Sequence, residues 1–280
     1  MTTKNIAIIG AGNMGMCLAG GLIATGYPAE KLWIAEPSLD QLNHLKQQFA
    51  GHIHFSSSNL DAIQTADIIL FAVKPLILPS VLHDLAATIL ARRPLVISVA
   101  AGISTKIIQD CLDENSAIVR AMPNTPALIQ CGVTALFANA QVTSAQKSDA
   151  EAILRAVGSV VWIEEEALMS VITALSGSGP AYFFLIIEAL QQAGEKLGLT
   201  PDVARLLTLG TAYGAARMAL ESDKSVVALR QQVTSPGGTT EQAIRVLEEA
   251  QIRDIFTHAI EAANHRSHEL AEIITKEMES

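Results

Sequence analysis

The sequence predicts an α/β chain in two parts, a parallel β-sheet covered by helices over residues 1–164 and an all-helical region over residues 165–280. Three observations predict it. In the first part, apolar runs of strand length alternate with segments of helical character, and the runs are apolar throughout, as strands buried on both faces must be. A glycine-rich turn joins the first run to the first helical segment. From about Glu165 onward the strand-length runs cease, and breaker clusters divide an otherwise helical stretch.

In order, the expected strands are Asn5–Ile9, Leu32–Ala35, Ile68–Val73, Leu95–Val99 and Ile118–Ala121. Between them lie the expected helices Asn13–Thr25, Leu39–Phe49, Leu76–Ala91 and Ser104–Leu112. Val133–Ala138 and Ser159–Ile163 add two more strands on either side of a helix at Ala145–Val157. In the second part the breakers are Ser176-Gly177-Ser178-Gly179-Pro180, which reads as a flexible loop, Gly198–Pro201 and Ser235-Pro236-Gly237-Gly238. Pro180 and Pro201 suit the first turns of new helices. Ala181–Leu190 is apolar on nearly every face, which points to an interface between subunits, with the centre of a monomeric bundle as the alternative.

Composition narrows the class. Half of the 280 residues are hydrophobic and 17% are charged, which fits a packed soluble protein. The net charge of −9 and the absence of a Lys/Arg cluster argue against a nucleic-acid partner. Cys17, Cys111 and Cys131 show no CxxC spacing, so neither a disulfide framework nor a metal site is expected, and a reducing, cytoplasmic setting is. The stretch between Lys4 and Glu30 carries no charge, but its six glycines read as a β-turn-α unit rather than a membrane span. The run Tyr182–Ile187 is by itself too short to span.

Gly10-x-Gly12-x-x-Gly15 follows a strand and opens a helix. That context is the Rossmann dinucleotide fingerprint, with backbone N–H groups and a helix start facing the phosphates. Glu36, at the end of the second strand, suits a ribose 2′-OH and repels a 2′-phosphate, so it leans toward NADH over NADPH. Val73-Lys74-Pro75 and Val99-Ala100-Ala101-Gly102 end strands at the edge where ligands bind. Thr234–Thr240 presents two glycines, a serine and threonines before a helix (Glu241–Glu249), an anion cradle for a second ligand. An ordinary turn capped by Thr239 or Thr240 is the alternative. Met122-Pro123-Asn124-Thr125-Pro126 is a further polar loop at a strand end. His44, His52, His54 and His83 fall in surface segments and His258, His265 and His268 on the last helix, so none is assigned a catalytic role.

Together, Gly10–Gly15, Ala72–Pro75, Val99–Gly102, Arg120–Pro126 (RAMPNTP), Ser176–Tyr182 (SGSGPAY) and Ser235–Thr240 (SPGGTT) resemble pyrroline-5-carboxylate reductase, from about Asn5 to Leu270. The resemblance implies NAD(P)H-dependent reduction of 1-pyrroline-5-carboxylate to L-proline, the last step of proline synthesis. It implies a helical dimerisation domain, a homodimer, and a decamer of dimers as the higher assembly. Carried over, the cofactor contacts are Ile9, Gly10, Ala11, Gly12, Asn13, Met14, Asn59, Val73, Lys74, Ala101 and Gln232. The substrate contacts are Glu166, Ser235, Gly237, Gly238, Thr239 and Thr240, with Thr240 also orienting the ring nitrogen in catalysis. Glu36 falls where several NADPH-using members carry serine or threonine. No metal is implied.

Two other readings compete. A β-hydroxyacid dehydrogenase would need a lysine with asparagine four residues on, but Lys196 is followed by Thr200 and Lys224 by Ala228. A non-catalytic dinucleotide sensor would have no use for the SPGGTT segment.

Overall fold

The computed structural model describes residues 4–49 and 53–279, so His52 lies outside the described residues. The chain forms two compact units, with breaks between Ser178 and Gly179 and between Ala262 and Ala263. The first unit therefore continues past the expected boundary at 164–165 and takes in the end of the last helix.

The first unit is built from β1 (Ile6–Ile9), α1 (Asn13–Ala24), β2 (Leu32–Ala35), α2 (Leu39–Gln48), β3 (His54–Ser56), α3 (Asn59–Ile63) and β4 (Ile68–Phe71). It continues through α4 (Leu78–Arg92), β5 (Leu95–Ser98), α5 (Thr105–Cys111), β6 (Ile118–Met122), β7 (Gly132–Ala138), α6 (Ser144–Arg155), β8 (Gly158–Trp162) and the short α7 (Met169–Ile172). The eight strands lie in the order β3-β2-β1-β4-β5-β6-β7-β8. From β3 to β6 every pairing is parallel. The order 3-2-1-4-5-6 is that of a Rossmann sheet, whose switch point lies between β1 and β4.

Alternate residues explain why these strands read as continuously apolar. Ile6, Ile8, Ile68, Leu70, Leu95 and Ile97 enter one core, and Ala7, Ile9, Ile69, Phe71 and Val96 enter the other. Each fully buried isoleucine or leucine contributes roughly 1.5–3 kcal/mol of transfer free energy. Helix α4 packs Leu78, Leu82, Leu85 and Ile89 into the second core, so its apolar length serves the sheet.

Two features depart from the sequence reading. β3 and α3 have no counterpart among the expected elements. β7 runs antiparallel to β6, so the sheet is not parallel throughout. Only residues 123–131 separate those strands. A parallel return needs a crossover of roughly a dozen residues or more, usually helical, and this link has no room for one.

The second unit holds α8 (Gly179–Lys196), α9 (Pro201–Glu221), α10 (Val226–Gln232), α11 (Thr239–Glu249) and the start of α12 (Ile252–Glu279). Pro201 occupies the first turn of α9. Helices α8 and α9 pair closely at Gly194, where a Cβ would lie 3.6 Å from that of Ala204. Beyond this seam the unit has little core of its own. Phe183, Phe184, Leu185, Leu206 and Tyr213 are each between 65% and 73% exposed. That overturns the alternative of a buried central helix in a monomeric bundle. Glu166–Lys196 as a whole is also apolar and long enough to cross a bilayer, although the run Tyr182–Ile187 alone is not.

Candidate active site

The glycine loop lies between β1 and α1, at the carboxyl end of the sheet. Two of its glycines are required by space. A Cβ on Gly10 would stand 2.8 Å from Ala72 O, and one on Gly15 would stand 2.1 Å from Gly10 O. Gly10 also has φ +95°, a left-handed conformation that favours glycine. Gly12 differs, since nothing lies within 4 Å of its absent Cβ. It is the N-cap of α1 and offers no side chain to the first-turn amides. An open side facing uncapped N–H groups is the arrangement a pyrophosphate needs.

Glu36 does not simply face solvent. Ala11 N–H donates to its Oε2 at 3.2 Å, and Ser38 N–H donates to its Oε1 at 3.0 Å. Gln41 Nε2 donates to Ala11 O at 2.7 Å, fixing the loop from the other side. Ser38 is otherwise occupied as the N-cap of α2. Asn59 opens α3, and its Oδ1 is buried with no hydrogen-bond partner. A buried acceptor without a donor is costly by about 1–3 kcal/mol, and a ribose hydroxyl would satisfy it. The glycine cradle and this orphaned acceptor fit a dinucleotide. Lys74, past β4, and Ala101, past β5, are exposed at the same sheet edge, with Val73 partly covered. Ile9 is fully buried in β1, and Asn13 and Met14 begin α1.

Glu166 begins a 3₁₀ turn that follows β8. Its Oε1 accepts from Thr105 N–H at 2.8 Å and from Arg120 Nη1 at 3.1 Å, and its Oε2 accepts from Thr105 Oγ1 at 2.6 Å. Thr105 and Arg120 carry no functional assignment from sequence reasoning, although an arginine inside an apolar strand is a visible signal. The MPNTP and SGSGP segments also meet: Asn124 Nδ2 donates to Ser176 O at 3.1 Å, and Asn124 Oδ1 accepts from Val133 N–H at 3.0 Å. The flexible loop expected at Ser176–Pro180 is instead a π-turn, Thr173–Gly177, running into α8. Ser178 N–H donates to Thr173 O at 2.8 Å. A Cβ on Gly177 would sit 2.6 Å from Met122 Cε, so that flexible side chain would have to move aside.

In the second unit the SPGGTT segment turns tightly into α11. Gly238 N–H donates to Ser235 O at 3.0 Å, and Gly237 adopts φ +72°. The N-cap is Gly238, with no side-chain cap, so Thr239 and Thr240 lie within the first turn and neither caps it. Gly237 N–H donates to Glu241 Oε2 at 2.8 Å, which shows that an amide of this loop takes a carboxylate oxygen. Ser235 and Thr239 are exposed and Thr240 is half-buried, while Gln232 is the exposed last residue of α10.

Among the described residues, no thiol is activated and no imidazole is buried in a site. Burial pushes the Cys17 and Cys111 thiols up, which disfavours the thiolate, and all three cysteines are free. The histidines among the described residues are exposed.

A Rossmann sheet with an open glycine cradle, joined in one chain to helices bearing an anion loop, defines a nicotinamide-dinucleotide oxidoreductase. A sequence profile for pyrroline-5-carboxylate reductase dimerisation matches residues 166–270. The chain belongs to the pyrroline-5-carboxylate reductase family. The pyrroline-5-carboxylate reductase of Pseudomonas aeruginosa is 45% identical over 272 residues, covering 97% of this chain and 98% of the relative. A pyrroline-5-carboxylate reductase structure from Coxiella burnetii superposes with a TM-score of 0.92 at 49% identity, over 96% of this chain and 99% of the other. The Plasmodium falciparum pyrroline carboxylate reductase, solved with NADP bound, has a TM-score of 0.84 at 32% identity, over 97% and 99%. Residues 5–102 also match a profile described as NADP oxidoreductase, coenzyme F420-dependent.

Proposed function

We infer that this protein reduces 1-pyrroline-5-carboxylate to L-proline with NADH or NADPH, the last step of proline synthesis. The observation that carries the reading is the SPGGTT turn, whose helix start has a glycine for its N-cap and whose Gly237 amide takes a carboxylate oxygen. We assign Ser235, Gly237, Gly238, Thr239 and Thr240 to the substrate carboxylate, which takes the place of Glu241 Oε2 on the Gly237 amide. The glycine loop, with Asn59, Val73, Lys74, Ala101 and Gln232, holds the dinucleotide. When bound, the dinucleotide supplies a hydride from its nicotinamide C4.

The residues of this chain position and polarise. The substrate is a ring imine, already electrophilic when protonated. Thr240 Oγ hydrogen-bonds the ring nitrogen and turns the C=N carbon toward the hydride. As the hydride adds to that carbon, the C=N π pair passes to nitrogen and leaves a secondary amine. The ring nitrogen already holds its proton, so no side chain has to deliver one. We assign Glu166 as the remaining substrate contact. Substituting Thr240 by alanine should lower turnover about ten- to a thousandfold, as losing one well-placed transition-state hydrogen bond does. Stopped absorbance at the NAD(P)H band measures it. An unchanged rate removes Thr240 from the mechanism, and no oxidation of either dinucleotide by the native protein removes the activity itself.

For the dinucleotide we propose a lean toward NADH. The Glu36 carboxylate sits on the Ala11 and Ser38 amides, where it would oppose a 2′-phosphate. The NADH/NADPH ratio of kcat/KM should fall in Glu36→Ser, and a native preference for NADPH would reverse the assignment. We further propose that residues 1–164 serve the dinucleotide and 165–280 serve dimerisation and substrate. The assembly is a homodimer, with a decamer as the higher form, in the cytoplasm and without a nucleic-acid or membrane partner. The net charge of −9 supports the absence of a nucleic-acid partner, and the exposed apolar faces of α8 and α9 support the homodimer.

A further inference from the structure

The Glu166 carboxylate is held by groups distant in sequence. Arg120 comes from the middle of β6, and its register partner across the sheet is Ser98, the last residue of β5. Thr105 is the first residue of α5, just past the Ala101-Gly102 turn. Glu166 itself follows β8. The three meet beside the carboxyl end of β5, where Ser98 pairs with Arg120 and the chain leaves the sheet through Ala101 and Gly102 to Thr105.

The cluster is sheltered, with the Arg120 and Glu166 side chains only 12% and 20% exposed. A carboxylate has about four acceptor positions. Three are filled, two on Oε1 by Thr105 N–H and Arg120, and one on Oε2 by the Thr105 hydroxyl. One position on Oε2 is left. Arg120 balances the carboxylate charge, so the cluster adds no net negative field against the carboxylate of the substrate.

We propose that Thr105 and Arg120 are positioning residues. They lock the Glu166 carboxylate in one orientation so that its remaining Oε2 acceptor shares, with Thr240 Oγ, the single N–H of the protonated ring imine. The proposal rests on the reading above that Glu166 contacts the substrate. A fixed carboxylate beside that nitrogen stabilises the cationic, hydride-accepting form of the imine. A carboxylate free to rotate would spend its acceptor elsewhere.

The test uses Thr105→Val, which removes the hydroxyl and keeps the backbone N–H, against Thr105→Ser, which keeps both. With the full chain, Thr105→Val should raise KM for pyrroline-5-carboxylate about five- to twentyfold, as loss of a hydrogen bond to a charged group does. Thr105→Ser should stay within about threefold of the native value, and Kd for the dinucleotide, read by nicotinamide fluorescence, should hold within about twofold in both. Arg120→Met should show the same split more strongly, with partial rescue by Arg120→Lys. If Arg120→Met does not fold, the two threonine variants decide alone. Glu166→Gln separates the two claims. Should Glu166→Gln raise KM while Thr105→Val leaves it unchanged, Glu166 meets the substrate but needs no positioning, and the proposal falls. Should Glu166→Gln leave KM unchanged, the substrate contact falls and the proposal with it. A Thr105→Val variant that loses dinucleotide affinity in step with KM would mark the cluster as structural only.

Discussion

The chain carries two glycine-rich loops that open helices, and they are shaped by different means. The glycine loop is fixed by crowding. Gly10 and Gly15 have no room for a single added carbon, because backbone atoms of Ala72 and Gly10 fill the space. In the SPGGTT loop crowding is milder, a Cβ on Gly238 standing 3.0 Å from Ser235 O, and backbone conformation decides at Gly237. Gly237 has φ +72° and nothing within 4 Å of its absent Cβ. Each loop has one amide on an acidic side chain of its own unit, Ala11 on Glu36 and Gly237 on Glu241. The difference teaches why the first signature is generic and the second specific. A crowded strand–turn–helix joint recurs wherever a phosphate meets a parallel sheet. An open loop leaves its surroundings for one particular ligand.

The comparison can be broken most sharply at Gly15. Gly15→Ala places a Cβ 2.1 Å from Gly10 O, so dinucleotide Kd should rise at least about a hundredfold. A change of only a few fold would mean that crowding does not define this loop. Gly12→Ala sharpens the point, because its Cβ meets no protein atom. The melting temperature of the free protein should therefore hold, while dinucleotide Kd rises about tenfold as the pyrophosphate is pushed away. At Gly237→Ala the left-handed conformation costs about 1–2 kcal/mol, so KM for the imine should rise roughly five- to thirtyfold with dinucleotide binding intact. A variant that weakened both ligands equally would merge the two loops into one structural unit. The smallest effect belongs to Glu241→Gln. It keeps an acceptor for Gly237 N–H but removes a charge near the anionic substrate, and should lower KM by about threefold or less, steepest at low ionic strength.

Most of the fold was legible because the strands are apolar throughout and buried on two faces. β3 was not, because His54-Phe55-Ser56 is three residues at a sheet edge and carries no apolar run. The reversal at β7 depended on counting the link, not on the strand itself. The SGSGP cluster misled, since glycine and serine read as loop while the chain kept turning through a π-turn pinned by Asn124. At the site, each loop announced itself by its own residues. The tie of Glu166 to Arg120 and Thr105 did not, because partners 46 and 61 residues apart leave no local pattern.

Helices α8 and α9 send Phe183, Phe184, Leu206 and Tyr213 outward. In a homo-oligomer such a unit would complete its interior against another copy, which would couple folding to assembly. Its stability is then second order in protein. The melting temperature should climb with concentration, and dilution acts as a mild denaturant. In a cell, the amount of chain made would set how much of it is folded as well as how much is present.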